Sequence, residues 1–80
     1  MTHIDITNAL RQEPFRPFEI VLNNGDRYPV EHPEFLTIGV SSLYWFPVIE
    51  ADGVLVADHG YAVLSIRNVA ALKPIAEKAA

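Results

Sequence analysis

Three nearly continuous apolar runs, in a chain of only 80 residues, constrain the fold more than any other feature of the sequence. They occupy residues 43–49, 54–57 and 61–64. An antiparallel strand with one face in water carries a polar residue at about every second position, and these runs show little such alternation. We therefore expect strands that are covered on both faces, either by the rest of the chain or by another copy of it.

The length of the chain limits how much apolar surface one molecule can hide. Hydrophobic residues make up 50% of the sequence, yet a chain of this size buries only about 60–65% of the surface that its unfolded form exposes. A second core has no room, so residues 1–80 are expected to form a single domain. The stability of that domain depends on dense packing or on association with another copy.

The charge balance is acidic, with a formal net charge of −4 and a pI near 5.1. The six lysine and arginine residues are spread singly along the chain, which is typical of a solvated surface and not of a phosphate-binding patch. Nucleic acid is therefore expected to be an unfavourable partner.

Cysteine is absent from the sequence, so the chain has neither disulfides nor thiolate metal ligands, which favours a cytoplasmic location. The first residues lack the basic start and apolar run of a signal peptide. No apolar stretch approaches the roughly 20 residues needed to cross a membrane. We expect neither secretion nor membrane spanning.

A short helix is predicted over about residues 3–12. Thr2 and Asp5 have the spacing of a capping pair, in which the hydroxyl accepts from a free amide and the carboxylate lies at the positive end of the helix. Ile6 and Leu10 lie one turn apart on a common face, and Pro14 prevents the helix from continuing. The helix is expected to pack over one end of a sheet.

From residue 18 the apolar period becomes two, with Phe18, Ile20 and Leu22 on one face of a first strand. Asn24 and Gly25 predict a tight hairpin, because both residues tolerate a positive φ. Pro29 cannot donate to a sheet ladder, so the second strand is expected at an edge or at a bulge.

The remaining extended segments are separated by turn residues. Residues 43–49 are predicted to form one long strand, in which Pro47 again requires an edge or a bulge. Asp52 and Gly53 predict the next hairpin, and a tight turn at residues 65–69 precedes a last strand.

This element order is typical of a mainly β fold with a short N-terminal helix. We predict about five strands in a strongly bent antiparallel sheet that forms a small barrel of the SH3-like or Sm-like kind. The barrel is expected over about residues 15–75, followed by a short tail at residues 76–80.

Three segments, PFRPF at residues 14–18, NGDR at 24–27 and HPEF at 32–35, resemble a family of short uncharacterised bacterial proteins. Its members resemble one another in these segments and in a final hydrophobic strand, here residues 69–75. The resemblance extends over most of the chain from residue 14 onward. It implies a compact bacterial domain and assigns no catalytic residue. The strand order is also similar to that of Sm-like proteins, whose characteristic RNA-contacting motifs are not present here.

Arg16 is a candidate for contact with a ligand or a protein partner, because arginines beside aromatic residues are enriched at interfaces. Its neighbours Phe15 and Phe18 also allow a structural interpretation. In that case the two rings seal the helix against the barrel, and the guanidinium covers their edge or pairs with a carboxylate.

His32 and Glu34 form the second polar candidate, since a histidine near a carboxylate is suited to general acid–base chemistry near neutral pH. The alternative is structural. A histidine before a proline at a strand bend commonly hydrogen-bonds the backbone, and Glu34 then lies in solvent as a turn residue.

Tyr44, Trp45 and Phe46 are consecutive aromatic residues, so they must divide between the two faces of a strand. One face belongs to the core, and the other needs a cover because an exposed aromatic strand risks edge-to-edge aggregation. That cover is a second subunit, a protein partner, the helix or another strand. Base stacking on these rings is a further alternative, with no adjacent positive charge to support it.

No pattern typical of an enzyme or a metal site is found elsewhere. No two histidines share a helix face, the serines lack a nucleophile-elbow pattern, and the glycines form no phosphate-binding loop. We therefore expect no cofactor and no metal.

The resulting hypothesis is a non-enzymatic small barrel that self-associates or binds another protein through residues 43–49 and an uncovered strand edge. Its alternative is an Sm-like domain that binds single-stranded nucleic acid. A third, enzymatic hypothesis places chemistry at His32 and Glu34.

Overall fold

The computed structural model of the chain describes residues 1–58 and 60–75, which form one helix and eight short strands. The helix α1 is His3–Leu10, and the strands are β1 (Phe18–Leu22), β2 (Arg27–Val30), β3 (Leu36–Ile38), β4 (Ser42–Trp45), β5 (Val48–Ala51), β6 (Val54–Ala57), β7 (Ala62–Ser65) and β8 (Val69–Pro74). Single turns of 3-10 helix at Pro33–Phe35 and Ile66–Asn68 precede β3 and β8. The predicted tail at residues 76–80 and His59 lie outside the described residues.

The mainly β class with a short N-terminal helix is confirmed, whereas the strand count of about five in one sheet is wrong. The described residues form three antiparallel sheets, with the orders β2-β1-β8, β3-β4-β7 and β5-β6. The predicted strand over residues 43–49 is divided into β4 and β5, because Pro47 has no amide to donate and interrupts the ladder. Pro29 lies in β2, at an edge of its sheet, as predicted.

Helix α1 begins with the predicted capping pair. The Asp5 amide donates to the Thr2 hydroxyl at 3.4 Å, and the Asp5 carboxylate accepts from the Thr2 amide at 3.1 Å. These hydrogen bonds from the Thr2 backbone and hydroxyl favour the charged carboxylate and lower the pKa of Asp5 below its ordinary value of 3.8. The helix ends at Leu10, earlier than predicted. No helix among the described residues is long and apolar enough to cross a membrane.

Two hairpin turns position the strands, and they differ in geometry. Asp52 and Gly53 both have positive φ, of 51° and 77°, so they form the two-residue turn that the sequence predicts. Between β1 and β2 only Gly25 has a positive φ, of 93°. Asn24 instead uses its side chain, whose oxygen accepts from the Asp26 amide at 2.9 Å, so this turn is longer than predicted.

The core draws one or two residues from almost every element. Nine buried residues form one cluster, namely Ile6, Phe18, Ile20, Val30, Leu36, Leu43, Leu64, Ile66 and Val69. None of them belongs to β5 or β6, and neither strand contributes to the half-buried residues packed around the cluster. The β5–β6 hairpin is thus held outside the core.

Backbone hydrogen bonds beyond the strand ends extend two pairings of the three-stranded sheets, that of β1 with β8 and that of β4 with β7. The Asn23 amide donates to the Asn68 carbonyl at 2.8 Å, and the Ile66 amide donates to the Ser41 carbonyl at 3.0 Å. No strand pairing among the described residues closes the three sheets into one ring. The SH3-like or Sm-like barrel therefore stays a prediction.

Two leucine-to-alanine substitutions test which strands hold the fold together. Leu43 is fully buried, whereas Leu55 in β6 is 40% exposed. Leu43→Ala is expected to lower the free energy of unfolding by about 2–5 kcal/mol, because it leaves a cavity among packed side chains. Leu55→Ala, which leaves no such cavity, is expected to lower it by less than about 1 kcal/mol.

Urea unfolding at low protein concentration, followed by circular dichroism, measures both changes. If Leu43→Ala does not fold, Ile20→Val gives a milder test at another fully buried position, with an expected loss of about 0.5–1.5 kcal/mol. Equal losses for Leu43→Ala and Leu55→Ala would contradict a core that excludes β6.

Candidate interaction surfaces

The β5–β6 hairpin exposes apolar side chains on both of its faces. Cross-strand pairs run from Ala51 opposite Val54 to Val48 opposite Ala57. Because side chains alternate along each strand, one face carries only aliphatic residues, and we call it the outer face: Ile49, Ala51, Val54 and Val56. The other face, which we call the groove face, consists of Val48, Glu50, Leu55 and Ala57.

All four residues of β6 are exposed, so the rest of the chain does not provide the expected cover, and cover by another copy stays a prediction. Within the outer face, Ile49, Val54 and Val56 have exposed fractions of 44%, 60% and 37%. The apolar run therefore specifies a strand, but the core of this chain does not cover it.

The hydrogen-bond pattern of the hairpin defines which backbone groups point outward. The Asp58 amide donates to the Pro47 carbonyl at 2.7 Å, which makes this a hydrogen-bonded pair next to the non-bonded pair Val48 and Ala57. Since the two kinds of pair alternate in an antiparallel ladder, the amides and carbonyls of Val48 and Glu50 point away from β6. In the described sheets no strand pairs with that edge of β5.

An open groove of about 430 Å3 follows this free edge. Its lining comprises Pro29, Glu31, His32, Trp45, Phe46, Pro47, Val48, Ile49, Glu50 and Leu55. Consecutive residues of a strand point to opposite faces. A groove that borders all of residues 47–50 must therefore run along the edge of β5.

Trp45 forms the floor between the groove and the core, and it joins two sheets. Its indole Nε1 donates to the Pro29 carbonyl at 2.8 Å, and its ring meets Tyr28 edge to face with centroids 5.1 Å apart. Both partners lie in β2, so the side chain fixes β4 against an edge strand of the other sheet. Trp45 is half-buried, which gives it a structural role in addition to its place in the groove.

The structure separates the other predicted aromatic residues. Phe46 is half-buried and belongs to the groove lining. Its ring centroid lies 5.9 Å from that of Tyr61. Tyr44 projects from the face of β4 opposite to Trp45. It is 40% exposed and is paired across the sheet with Val63 of β7. The consecutive aromatics thus divide between two faces, as expected for a strand.

His32 and Glu34 are not brought together as an acid–base pair. His32 is half-buried, packs its ring against Phe35 at 6.2 Å, and borders the groove. Glu34 is exposed and outside the groove lining. Among the described contacts no hydrogen bond links their side chains, and the predicted backbone hydrogen bond of the imidazole is not formed there.

Arg16 is exposed. The rings of Phe15 and Phe18 meet edge to face with centroids 6.1 Å apart. Phe18 belongs to the buried cluster, and Phe15 packs against it. Within residues 1–58 and 60–75 the ion pair found joins Arg27 to Glu19, so Arg16 has no carboxylate partner there. The ring contact at the core is therefore present and the guanidinium is exposed, while sealing of the helix against a barrel stays a prediction.

A second open groove, of about 570 Å3, lies beside the start of α1 and has a mixed lining. Its polar residues are Thr2, His3, Ser41, Ser42, Ser65 and Arg67, and its apolar residues are Met1, Val40 and Ile66. No hydrogen bond among the described residues connects His3 to any of these serines. The part of the chain that the structure describes also holds no cluster of three potential metal ligands.

Sequence reasoning missed the groove carboxylates Glu31 and Glu50 and the outer face of the hairpin. The signal for the outer face was present, because an Asp-Gly turn sets the register and hence which side chains share a face. Glu31 and Glu50 are far apart in sequence, and only the fold brings both to one groove.

Comparisons of the chain with protein-family models, with curated proteins and with solved structures find no match. The resemblance to a family of short bacterial proteins therefore stays a prediction.

The hydrogen bond between Trp45 and Pro29 is tested by Trp45→Phe, which keeps an aromatic ring and removes the donor. We expect the free energy of unfolding to fall by about 0.5–1.5 kcal/mol, the usual net contribution of such a bond. Tyr44→Phe is the control, because it also removes one polar group from β4 but at an exposed position. Circular dichroism in urea is the suitable measurement, since Trp45 is the single tryptophan. A Trp45→Phe protein as stable as Tyr44→Phe would contradict this role.

Proposed function

We propose that this protein is a non-enzymatic interaction domain that self-associates through the outer face of the β5–β6 hairpin. The observation that carries the proposal is a strand pair with an entirely aliphatic exposed face and no residue in the core. Surfaces of this kind on small domains mark sites of association.

The chemistry of the outer face favours a second copy as the occupant. Two such faces, packed as sheet on sheet, bring aliphatic side chains together without burying a carboxylate from either molecule. Glu50 projects from the opposite face of the hairpin, and Asp52 lies in the turn. Like charges are thereby kept away from the centre of the contact.

Magnitudes indicate that the association is weak and reversible. Ile49, Val54 and Val56 are each about half exposed, so covering one contributes about 1 kcal/mol, or about 6 kcal/mol for both copies. Loss of translational and rotational freedom opposes association by at least about 4 kcal/mol. The difference of at most about 2 kcal/mol corresponds to a dissociation constant of about 30 mM or weaker, so measurements should extend to the highest protein concentration that can be reached, about 10 mM.

The proposal includes a small barrel of the SH3-like or Sm-like kind and a cytoplasmic location. The barrel is supported by the single core that both three-stranded sheets share and by the hydrogen bond from the Trp45 indole to the Pro29 carbonyl, which joins them. The location is supported by the absence of cysteine from the sequence. Single-stranded nucleic acid is the less favourable alternative, because the charged residues in and beside the hairpin are acidic.

A matched pair of lysine substitutions tests the proposed contact. Val54 in the hairpin and Val63 in β7 are 60% and 55% exposed, so each accepts a lysine without disturbing the core. Val54→Lys is expected to weaken self-association at least about tenfold, because two desolvated ammonium groups would face each other. Val63→Lys is expected to leave it unchanged. Sedimentation velocity over a concentration series measures both.

Two outcomes would refute the proposed contact. A monomer at every concentration would remove self-association altogether. Dissociation by Val63→Lys but not by Val54→Lys would instead assign the contact to the face of β4 and β7 that carries Tyr44.

A further inference from the structure

The free edge of β5 offers backbone hydrogen-bonding groups to an added strand, whereas the edge of β2 across the groove does not offer them at Pro29. In β2, Pro29 has no amide to offer, and its carbonyl is occupied by the Trp45 indole at 2.8 Å. Across the groove, the amides and carbonyls of Val48 and Glu50 point outward with no strand of the described sheets beside them. One wall of the groove therefore rejects strand addition, and the other provides a template for it.

The dimensions of the groove suit a short extended segment. The four residues of β5 span about 13 Å at the usual rise per residue. The volume of about 430 Å3 lies in the range of sites that take small ligands or a few side chains. Trp45, Phe46 and Leu55 supply an apolar floor against which alternate side chains of an added strand can pack.

The charge of the groove determines which segment it accepts. Its lining contains the exposed carboxylates of Glu31 and Glu50, together with His32, and neither lysine nor arginine. The protein as a whole carries a formal charge of −4. A nucleic acid or an acidic peptide is therefore repelled, and a second copy would bring another chain of charge −4 to these carboxylates.

We infer that the groove along β5 binds an extended, basic and apolar peptide segment of another protein as an added strand. Main-chain bonds to Val48 and Glu50 hold the segment, and its lysine or arginine side chains pair with Glu31 and Glu50. This site uses the groove face and the β5 edge, so it does not depend on self-association through the outer face.

The test uses the synthetic hexapeptide KTVTKT, whose two lysines and one valine share the strand face that meets Glu50 and the apolar floor. It is titrated into the Val54→Lys protein as well as the unmodified one. Trp45 is the single tryptophan and lines the groove, so its fluorescence reports occupancy directly. We expect a saturable change in both proteins. Binding by Val54→Lys separates this site from the proposed self-association.

Variants and modified peptides then test how the segment is held. The double variant Glu31→Gln with Glu50→Gln is expected to weaken binding about fivefold or more at low salt, and Glu34→Gln, outside the groove, is expected to have no effect. A hexapeptide with N-methylated backbone amides is expected to lose binding, because it cannot donate to the β5 carbonyls.

The inference would be overturned by the absence of saturable binding, or by equal binding of a hexapeptide with glutamate in place of lysine. Full binding by the Glu31→Gln and Glu50→Gln double variant would also overturn it, as would full binding of the N-methylated peptide. Tighter binding of a single-stranded oligonucleotide would assign the groove to nucleic acid instead.

Discussion

The exclusion of the β5–β6 hairpin from the core is the constraint on which the rest of the structure depends. One buried cluster draws on α1, on β1 to β4, and on the segments from β7 onward, and it is complete without the hairpin. Pro47 ends the ladder of β4, and the Asp52-Gly53 turn pairs β5 with β6 alone. The hairpin thus keeps its apolar side chains and a backbone edge in solvent, where another polypeptide can reach them.

Two strand edges of the chain differ in the backbone groups that they offer to another strand. At the β2 edge, Pro29 and the indole of Trp45 remove the donor and the acceptor that another strand would need. At the β5 edge, Val48 and Glu50 keep theirs. The outer face of the hairpin is uncharged, while the groove beside β5 is acidic, so the two surfaces suit different occupants.

Local signals predicted the local structure well. The Thr2–Asp5 cap, the Phe18–Leu22 strand and the Asp52-Gly53 turn depend on neighbours in sequence, and all three are present. Division of residues 43–49 at Pro47 was indicated by the proline, but apolar continuity across it favoured one strand. Exposure of residues 54–57 was not predictable, because composition records how apolar a strand is and not whether the core has room for it. The groove was missed for a similar reason: Glu31 and Glu50 meet only in the folded chain.

Amide chemical shifts measured by heteronuclear NMR during dilution test the central claim most directly. The account predicts that the signals of Ile49, Ala51, Val54 and Val56 change together over about two orders of magnitude in concentration. Signals of buried residues such as Ile20 and Leu43 are expected to stay in place, because the core does not take part in the contact. Shifts concentrated at Tyr44 and Val63, or a spectrum independent of concentration, would contradict an uncovered hairpin face that a second copy covers.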